Sequence, residues 1–386
     1  MSKNIVICCD GTGNQFGKNN TNVVHMFEAL ESNETQKIYY DPGVGTNSRR
    51  LIRFSQTLDK VIAMAFGLDL QKNVEDAYYY LMNNYEPGDD IFLFGFSRGA
   101  HTVRRLASVL EQVGLLHKGS DNMIFYAMQM YLDKKKDPTT EVSQFKKTFS
   151  RYCPVHFLGV WDTVSAESTL LLKPELDGKF SKEVKNAYHA VSIDEKRLNF
   201  PPNLWKKDSI SSDQKVEEVW FSGVHSDVGG FYNERGLSDI TLKWIADAAT
   251  DAGLQVRSNA FHNLNRNPSA KSFKSWKGIW LLLPLPAYVL LLAIAIVTLH
   301  WVIAIPLLKI WEFKFIHQTS NLMWLSLLDW WCVPAAVFVL LVWCTKRARE
   351  IPEGAKVHKS VKARIEKTKY KPKNLIEVET TVRWVD

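Results

Sequence analysis

The sequence predicts an α/β fold, a doubly wound and mostly parallel sheet interrupted late in the chain by an apolar two-helix hairpin. Three observations carry that reading. Short apolar runs alternate with helical patterns over the first 250 residues, the rhythm of strand–helix–strand units. Chemistry-bearing residues stand where those runs end, at the C-terminal ends of strands, where open α/β sheets place their sites. Residues 279–299 and 323–344 are almost wholly apolar, unlike anything before them. A charged fraction of 23% and an apolar fraction of 46% belong to a folded chain.

Taken in order, Ile5-Val-Ile-Cys-Cys9 reads directly as a first strand rather than as a signal peptide. A Gly-rich loop over 10–17 and a helical pattern over 22–30 follow. Strand, Gly-rich loop and helix also make a dinucleotide turn, but the spacing is G-x-G-x-x-x-G and Phe16 stands where the third glycine belongs, so that fingerprint fails. A strand over 37–40 and a helix over 68–83 come next, the helix with Val74, Ala77, Tyr78 and Leu81 on one face. Apolar runs at 91–94 and 155–161 and the stretch 216–223 read as further strands, with helices over 100–116, 123–132 and 239–249. The cysteines Cys8, Cys9, Cys153, Cys332 and Cys344 have neither metal-ligand spacing nor the density of a disulfide scaffold.

The run at 91–94 leads into Gly95-Phe-Ser-Arg-Gly99, which matches G-x-S-x-G in its required setting of strand, sharp turn and helix. A β-carbon at 95 or 99 would crowd the neighbouring strand or helix, and Ser97 would be held exposed at a helix N-terminus that favours developing negative charge. Two more strand ends deliver Asp162 and His225, giving the order Ser97, Asp162, His225 that the triad of an α/β-hydrolase follows. In that reading Ser97 is the nucleophile, His225 its base and Asp162 the group that orients the imidazole. The oxyanion donors fall to the backbone N–H of Arg98, directly after the nucleophile, and of Gly11 or Thr12 at the first strand's end. His101, His156 and His189 compete for the base, and Asp10, Asp41, Asp194 and Asp227 for the acid. Asp10, Asp41 and Asp227 read as loop caps; nothing in their spacing compels a metal, and no cofactor is implied.

The apolar stretches are long enough to cross a hydrocarbon core, with tryptophans gathered toward their ends. Lys271, Lys274 and Lys277 precede the first, and Lys346, Arg347 and Arg349 follow the second, whereas the connector carries Lys309 and Lys314 against Glu312. That asymmetry places both flanks in the cytoplasm. The chain then divides into a hydrolase domain at 1–270, a transmembrane hairpin at 271–350 and a segment at 351–386 that returns to complete the domain. The net charge of +7, gathered largely around the apolar region, points to an anionic membrane surface before nucleic acid.

Six elements occur in one order: Cys9-Asp-Gly-Thr-Gly-Asn14, Tyr40-Asp-Pro-Gly-Val-Gly-Thr46, Gly95-Phe-Ser-Arg-Gly-Ala100, Gly159-Val-Trp-Asp-Thr-Val164, His189-Ala-Val-Ser-Ile-Asp-Glu195 and Gly223-Val-His-Ser-Asp-Val-Gly-Gly230. Together they resemble the α/β-hydrolase domain family (domain of unknown function 2235) whose bacterial members include phospholipase effectors of type VI secretion. His358-Lys-Ser-Val361, Arg364 and Tyr370-Lys-Pro-Lys-Asn-Leu375 resemble that family's usual ending, with Lys359 where proline is common. The resemblance implies a Ser-Asp-His esterase acting on membrane phospholipid, and it falls on Ser97, Asp162 and His225. Joined to the hairpin, it predicts a membrane-anchored enzyme of a bacterial inner membrane with its hydrolase domain cytoplasmic. The apolar Leu170-Leu-Leu172 loop is the expected wall or lid of its lipid channel. A catalytically silent tethered module and an esterase or thioesterase for a soluble substrate are the alternatives.

Overall fold

The computed structural model describes residues 2–11, 17, 19–43, 58–132, 141–164, 178–197, 200–273 and 348–386. One compact unit comprises Met1–Glu195, Asn199–Phe273 and Ala348–Asp386. Its strands are β1 (Asn4–Cys9), β2 (Gln36–Asp41), β3 (Asp90–Phe96), β4 (Leu115–Leu116), β5 (Ser150–Arg151), β6 (Val155–Trp161), β7 (Val184–Ser192), β8 (Lys215–Phe221), β9 (Lys356–His358) and β10 (Arg383–Val385). The helices that matter below are α1 (Asn22–Ala29), α2 (Leu58–Asn84), α3 (Arg98–Val113), α4 (Ile124–Leu132), α5 (Glu141–Phe149), α6 (His225–Gly229), α7 (Ser238–Asp251) and α8 (Lys359–Lys367).

Among the described residues eight strands form one sheet in the order β10-β9-β8-β7-β6-β3-β1-β2, every neighbouring pair parallel. A parallel sheet needs helices on both faces, so its strands read as near-continuous apolar runs. In β1 the side chains alternate: Ile5, Ile7 and Cys9 pack with Tyr78 and Leu81 of α2 and Val103 and Leu106 of α3, while Val6 and Cys8 pack with Met26 of α1 and Ile245 and Ala249 of α7. Each fully buried aliphatic or aromatic side chain contributes about 1.5–3 kcal/mol, which fixes the strand's register between two helical layers. A third cluster joins Val191 and Trp220 to Val357, Val361 and Leu375, seating the C-terminal strands beside β8. The winding reverses between β1, which leads outward to β2, and β3, which leads the other way. A crevice opens at such a switch point, and Ser97 ends the strand on one side of it.

Two expectations are corrected. Among the described residues no helix is long and apolar enough to cross a membrane. The longest of them, α2, has 27 residues but carries Asp59, Lys60, Asp69, Lys72, Glu75 and Asp76, so it lacks the uncharged run of about 20 that spanning requires. The apolar stretches at 279–299 and 323–344, and with them the hairpin assigned to 271–350, lie outside the described residues. Among the described residues the fold is the mostly parallel α/β sheet, and the inserted transmembrane hairpin has no support there. The placement as an integral protein of a bacterial inner membrane needed that hairpin and falls with it. The loop at 170–172 and Thr12 also lie outside the described residues.

Candidate active site

Strand β3 ends at Phe96 and α3 begins at Arg98, so Ser97 alone turns the chain. Its φ of 56° and ψ of −116° fall outside the regions open to ordinary residues. Such strain costs about 1–3 kcal/mol and persists only where the surroundings fix it. Here they do. A Cβ on Gly95 would stand 2.5 Å from the Gly99 carbonyl oxygen, and one on Gly99 only 2.0 Å from that of Cys9. The Ser97 N–H donates to the Trp161 carbonyl at 3.1 Å, tying the turn to the end of β6.

That strand end presents Asp162, itself at φ 41°, and β8 leads to His225 at the start of α6. His225 Nε2 lies 2.8 Å from Ser97 Oγ, and Nδ1 lies 2.6 Å from Asp162 Oδ2. With Nδ1–H donating to the carboxylate, Nε2 is left to accept the serine proton. The imidazole is held between two rings, Phe96 at 4.6 Å and Phe200 edge-on at 4.9 Å between centroids. Its peptide N–H donates to Glu195 Oε2 at 3.3 Å. Ser97, Asp162 and His225 are all buried.

A fully buried carboxylate must be compensated. Asp162 Oδ1 accepts from the Ser192 N–H at 2.8 Å and from Arg349 Nη1 at 2.6 Å, while Oδ2 accepts from Ser192 Oγ and Arg349 Nη2, both at 3.1 Å. Burial alone would raise this pKa. The Arg349 guanidinium and His225 outweigh it and hold the carboxyl well below the usual range. Removing one partner from a buried pair of this kind typically costs about 3–5 kcal/mol. Sequence reasoning missed Arg349, which it took for a charge flanking the second apolar stretch. No local pattern marks the residue, because its partner is 187 positions away. The need of a buried strand-end aspartate for a cation was the one available signal.

The competing residues turn their hydrogen bonds elsewhere. His189 faces Glu218 Oε2 at 2.9 Å through Nδ1 and accepts the Thr163 N–H at 3.1 Å through Nε2, propping the peptide after Asp162. His101 is buried, its pKa pushed down to about 3 by that burial and then by Arg104 and Arg105. His156 bonds the Ala252 carbonyl. Asp10 caps its own loop: its carboxylate takes the Gly11 N–H at 2.6 Å and the hydroxyls of Thr21 and Tyr40. Gly11 thus directs its N–H at Asp10, and Arg98 contributes the first peptide of α3. Asp41 accepts the Gly43 N–H at 2.7 Å, and Asp194 accepts the Gly223 N–H and the Tyr370 hydroxyl.

Asp227, two residues past His225, accepts the Val224 N–H, the Ser272 hydroxyl and the Phe273 N–H, all at Oδ2. Burial nevertheless pushes its pKa up to about 6. Between the unfolded value of about 3.9 and that figure the folded chain binds the extra proton, so Asp227 favours folding below this window and that contribution is lost as pH rises through it. Asparagine supplies the same acceptor without a charge. In Asp227→Asn, urea unfolding is expected to lose this slope between pH 4 and 6 and to leave the variant more stable at pH 7. A variant that parallels the parent across the range would refute the assignment.

Residues 3–248 match the family described as T6SS, Phospholipase effector Tle1-like, catalytic domain. An uncharacterized protein of Saccharomyces cerevisiae is 36% identical over 218 residues, which cover 51% of this chain and 32% of that one. Among solved structures, an uncharacterized protein from Pseudomonas aeruginosa shares 19% identity at a TM-score of 0.40, over 69% of this chain and 49% of its own. The Tle1 effector, solved bound to the VgrG spike of the type 6 secretion system, shares 18% identity at 0.38, over 60% of this chain and 52% of its own. The chain thus spans about a third to a half of the length of these proteins.

Proposed function

This chain belongs to the family of Tle1-like phospholipase effector catalytic domains, and we propose from that membership and from the geometry at Ser97 that it is a serine hydrolase of phospholipid esters. The observation that carries the proposal is the 2.8 Å contact between Ser97 Oγ and His225 Nε2, backed by Asp162 on the far nitrogen. In this reading His225 takes the hydroxyl proton as Ser97 Oγ attacks the ester carbonyl, and Asp162 stabilises the imidazolium so formed. The tetrahedral oxyanion is met by the N–H of Arg98, and because the Gly11 N–H is already donated to Asp10, the second donor of the two expected in that loop falls to Thr12. The close packing of Gly99 on Cys9 and Asp10 supports that placement, since it presses the end of β1 against the elbow. His225 returns its proton to the leaving alcohol, which leaves an acyl-enzyme on Ser97. Water, deprotonated by the same imidazole, then releases the fatty acid. We read residues 1–270 and 351–386 as one hydrolase domain, which the parallel pairing of β8 with β9 supports.

The test is product analysis on phospholipid vesicles, alongside fluorophosphonate labelling of the full chain. Fatty acid and lysophospholipid should appear, the label should map to Ser97, and Ser97→Ala should yield neither. Cleavage on the phosphate side of the lipid, or turnover undiminished in Ser97→Ala, would overturn the reading. An unlabelled, inactive chain would mark a silent module.

A further inference from the structure

We infer that Arg349 is a positioning residue of this site, one guanidinium that fixes both Asp162 and the Phe200 wall around His225. The inference rests on the triad reading above and adds to it a residue outside the matched segment 3–248. Its basis is geometric. Arg349 comes from the irregular segment leading into β9, far in sequence from every other part of the site. Nη1 reaches Asp162 Oδ1 at 2.6 Å, Ser192 Oγ at 2.6 Å and the Ser192 carbonyl at 3.0 Å; Nη2 reaches Asp162 Oδ2 at 3.1 Å and the Phe200 carbonyl at 2.7 Å. The side chain is buried, and the planar fork matches a carboxylate as a lysine ammonium does not.

Each of those partners acts on the imidazole. Asp162 holds Nδ1, Phe200 lies edge-on against the ring, and Ser192 donates twice to Asp162. Through them Arg349 limits the ring's rotation without touching the reacting atoms. It also sets the charge around the base. Around His225, Asp162 bonds Nδ1, Glu195 accepts from the peptide N–H, Asp227 shares the helix and Arg98 follows Ser97, while Arg349 brings a buried cation directly onto Asp162. Without it, either the imidazolium gains the undivided carboxylate or Asp162 takes up a proton. Both outcomes move the loss of free base toward neutral pH.

The experiment uses the full chain, a soluble p-nitrophenyl ester, and active-site counting by a fluorophosphonate so that rates refer to folded, reactive enzyme. Arg349→Gln should lower kcat roughly 10–100-fold, less than the about 10⁴-fold cost of a wrongly held imidazole, with little change in KM. The acidic limb of its kcat/KM profile should move upward by about one pH unit, a tenfold change in proton affinity. Arg349→Lys, which keeps the charge and loses the fork, should show part of the fall in kcat and an unmoved limb. Per-site kcat and a profile equal to the parent's in Arg349→Gln would overturn the inference, whether or not the yield of folded protein drops. Ser97→Ala separates the two readings. If it stays active and Ser97 takes no label, the triad has failed. If it is inert while Arg349→Gln behaves as the parent, only the role of Arg349 has failed.

Discussion

Ser97→Ala is expected to abolish ester hydrolysis, with a fall in kcat of roughly 10³–10⁶-fold, while the folded structure survives. In the proposed mechanism the hydroxyl is the atom that bonds to the acyl group, so its removal leaves no acyl-enzyme to form. The backbone already bears a Cβ at this position and needs nothing from the oxygen to hold its φ of 56°. His225→Ala should cost nearly as much, because an unassisted serine hydroxyl is a weak nucleophile. The double variant should be scarcely worse than either single one, since residues that act as a unit fail as a unit. Asp162→Asn should cost about 10⁴-fold by favouring the wrong tautomer of His225. The measurement is kcat/KM for a soluble ester with circular dichroism of each variant. Losses that multiply in the double variant would mean that Ser97 and His225 serve separate purposes.

What the sequence disclosed follows from how local each signal is. The elbow was legible because strand, turn and helix lie within one continuous stretch. Asp162 and His225 were legible because apolar runs end immediately before them, and the structure brings both within hydrogen-bond reach in one chain with Ser97. Strand β7 was not identified, although its last residues lie in one of the motifs. It opens with the buried Val184, the exposed Lys185 and the partly buried Asn186, so neither alternation nor a continuous apolar run marks its start. Strands β9 and β10 are three residues each, too short for any periodicity. The helix expected over 100–116 stops at Val113, because Gly114 takes a φ of 73° and frees Leu115 and Leu116 to pair with β5. Arg349 was read from its neighbours in sequence, as one more charge beside an apolar stretch. Its meaning lies in a carboxylate that only folding brings to it.

Gly99→Ala is expected to damage the fold near the site heavily, for a reason visible in three contacts. Its Cβ would meet the Cys9 oxygen at 2.0 Å, the Cys9 carbonyl carbon at 2.5 Å and the Asp10 oxygen at 2.6 Å. All three are backbone atoms, so no side-chain rotation relieves them. Strand β1 cannot retreat readily, since β2 and β3 pair with it on either side and helices cover both its faces. Helix α3 would therefore have to lift at its first turn, which carries the elbow with it. Overpacking usually costs about 1–3 kcal/mol, and a clash of backbone with a central strand belongs at or above that limit. A loss of about 3 kcal/mol lowers Tm by roughly 4–5 °C in a domain of this size. A displacement of the nucleophile by about 1 Å costs a further 10²-fold in rate even in the molecules that fold. Thermal unfolding followed beside Ser97→Ala makes the contrast sharp: the serine variant should keep the parent's Tm and lose its chemistry, whereas the glycine variant should lose both. A Gly99→Ala chain with the parent's Tm and turnover would show that α3 and β1 do not meet as closely as described, and the elbow's strained serine would need another support.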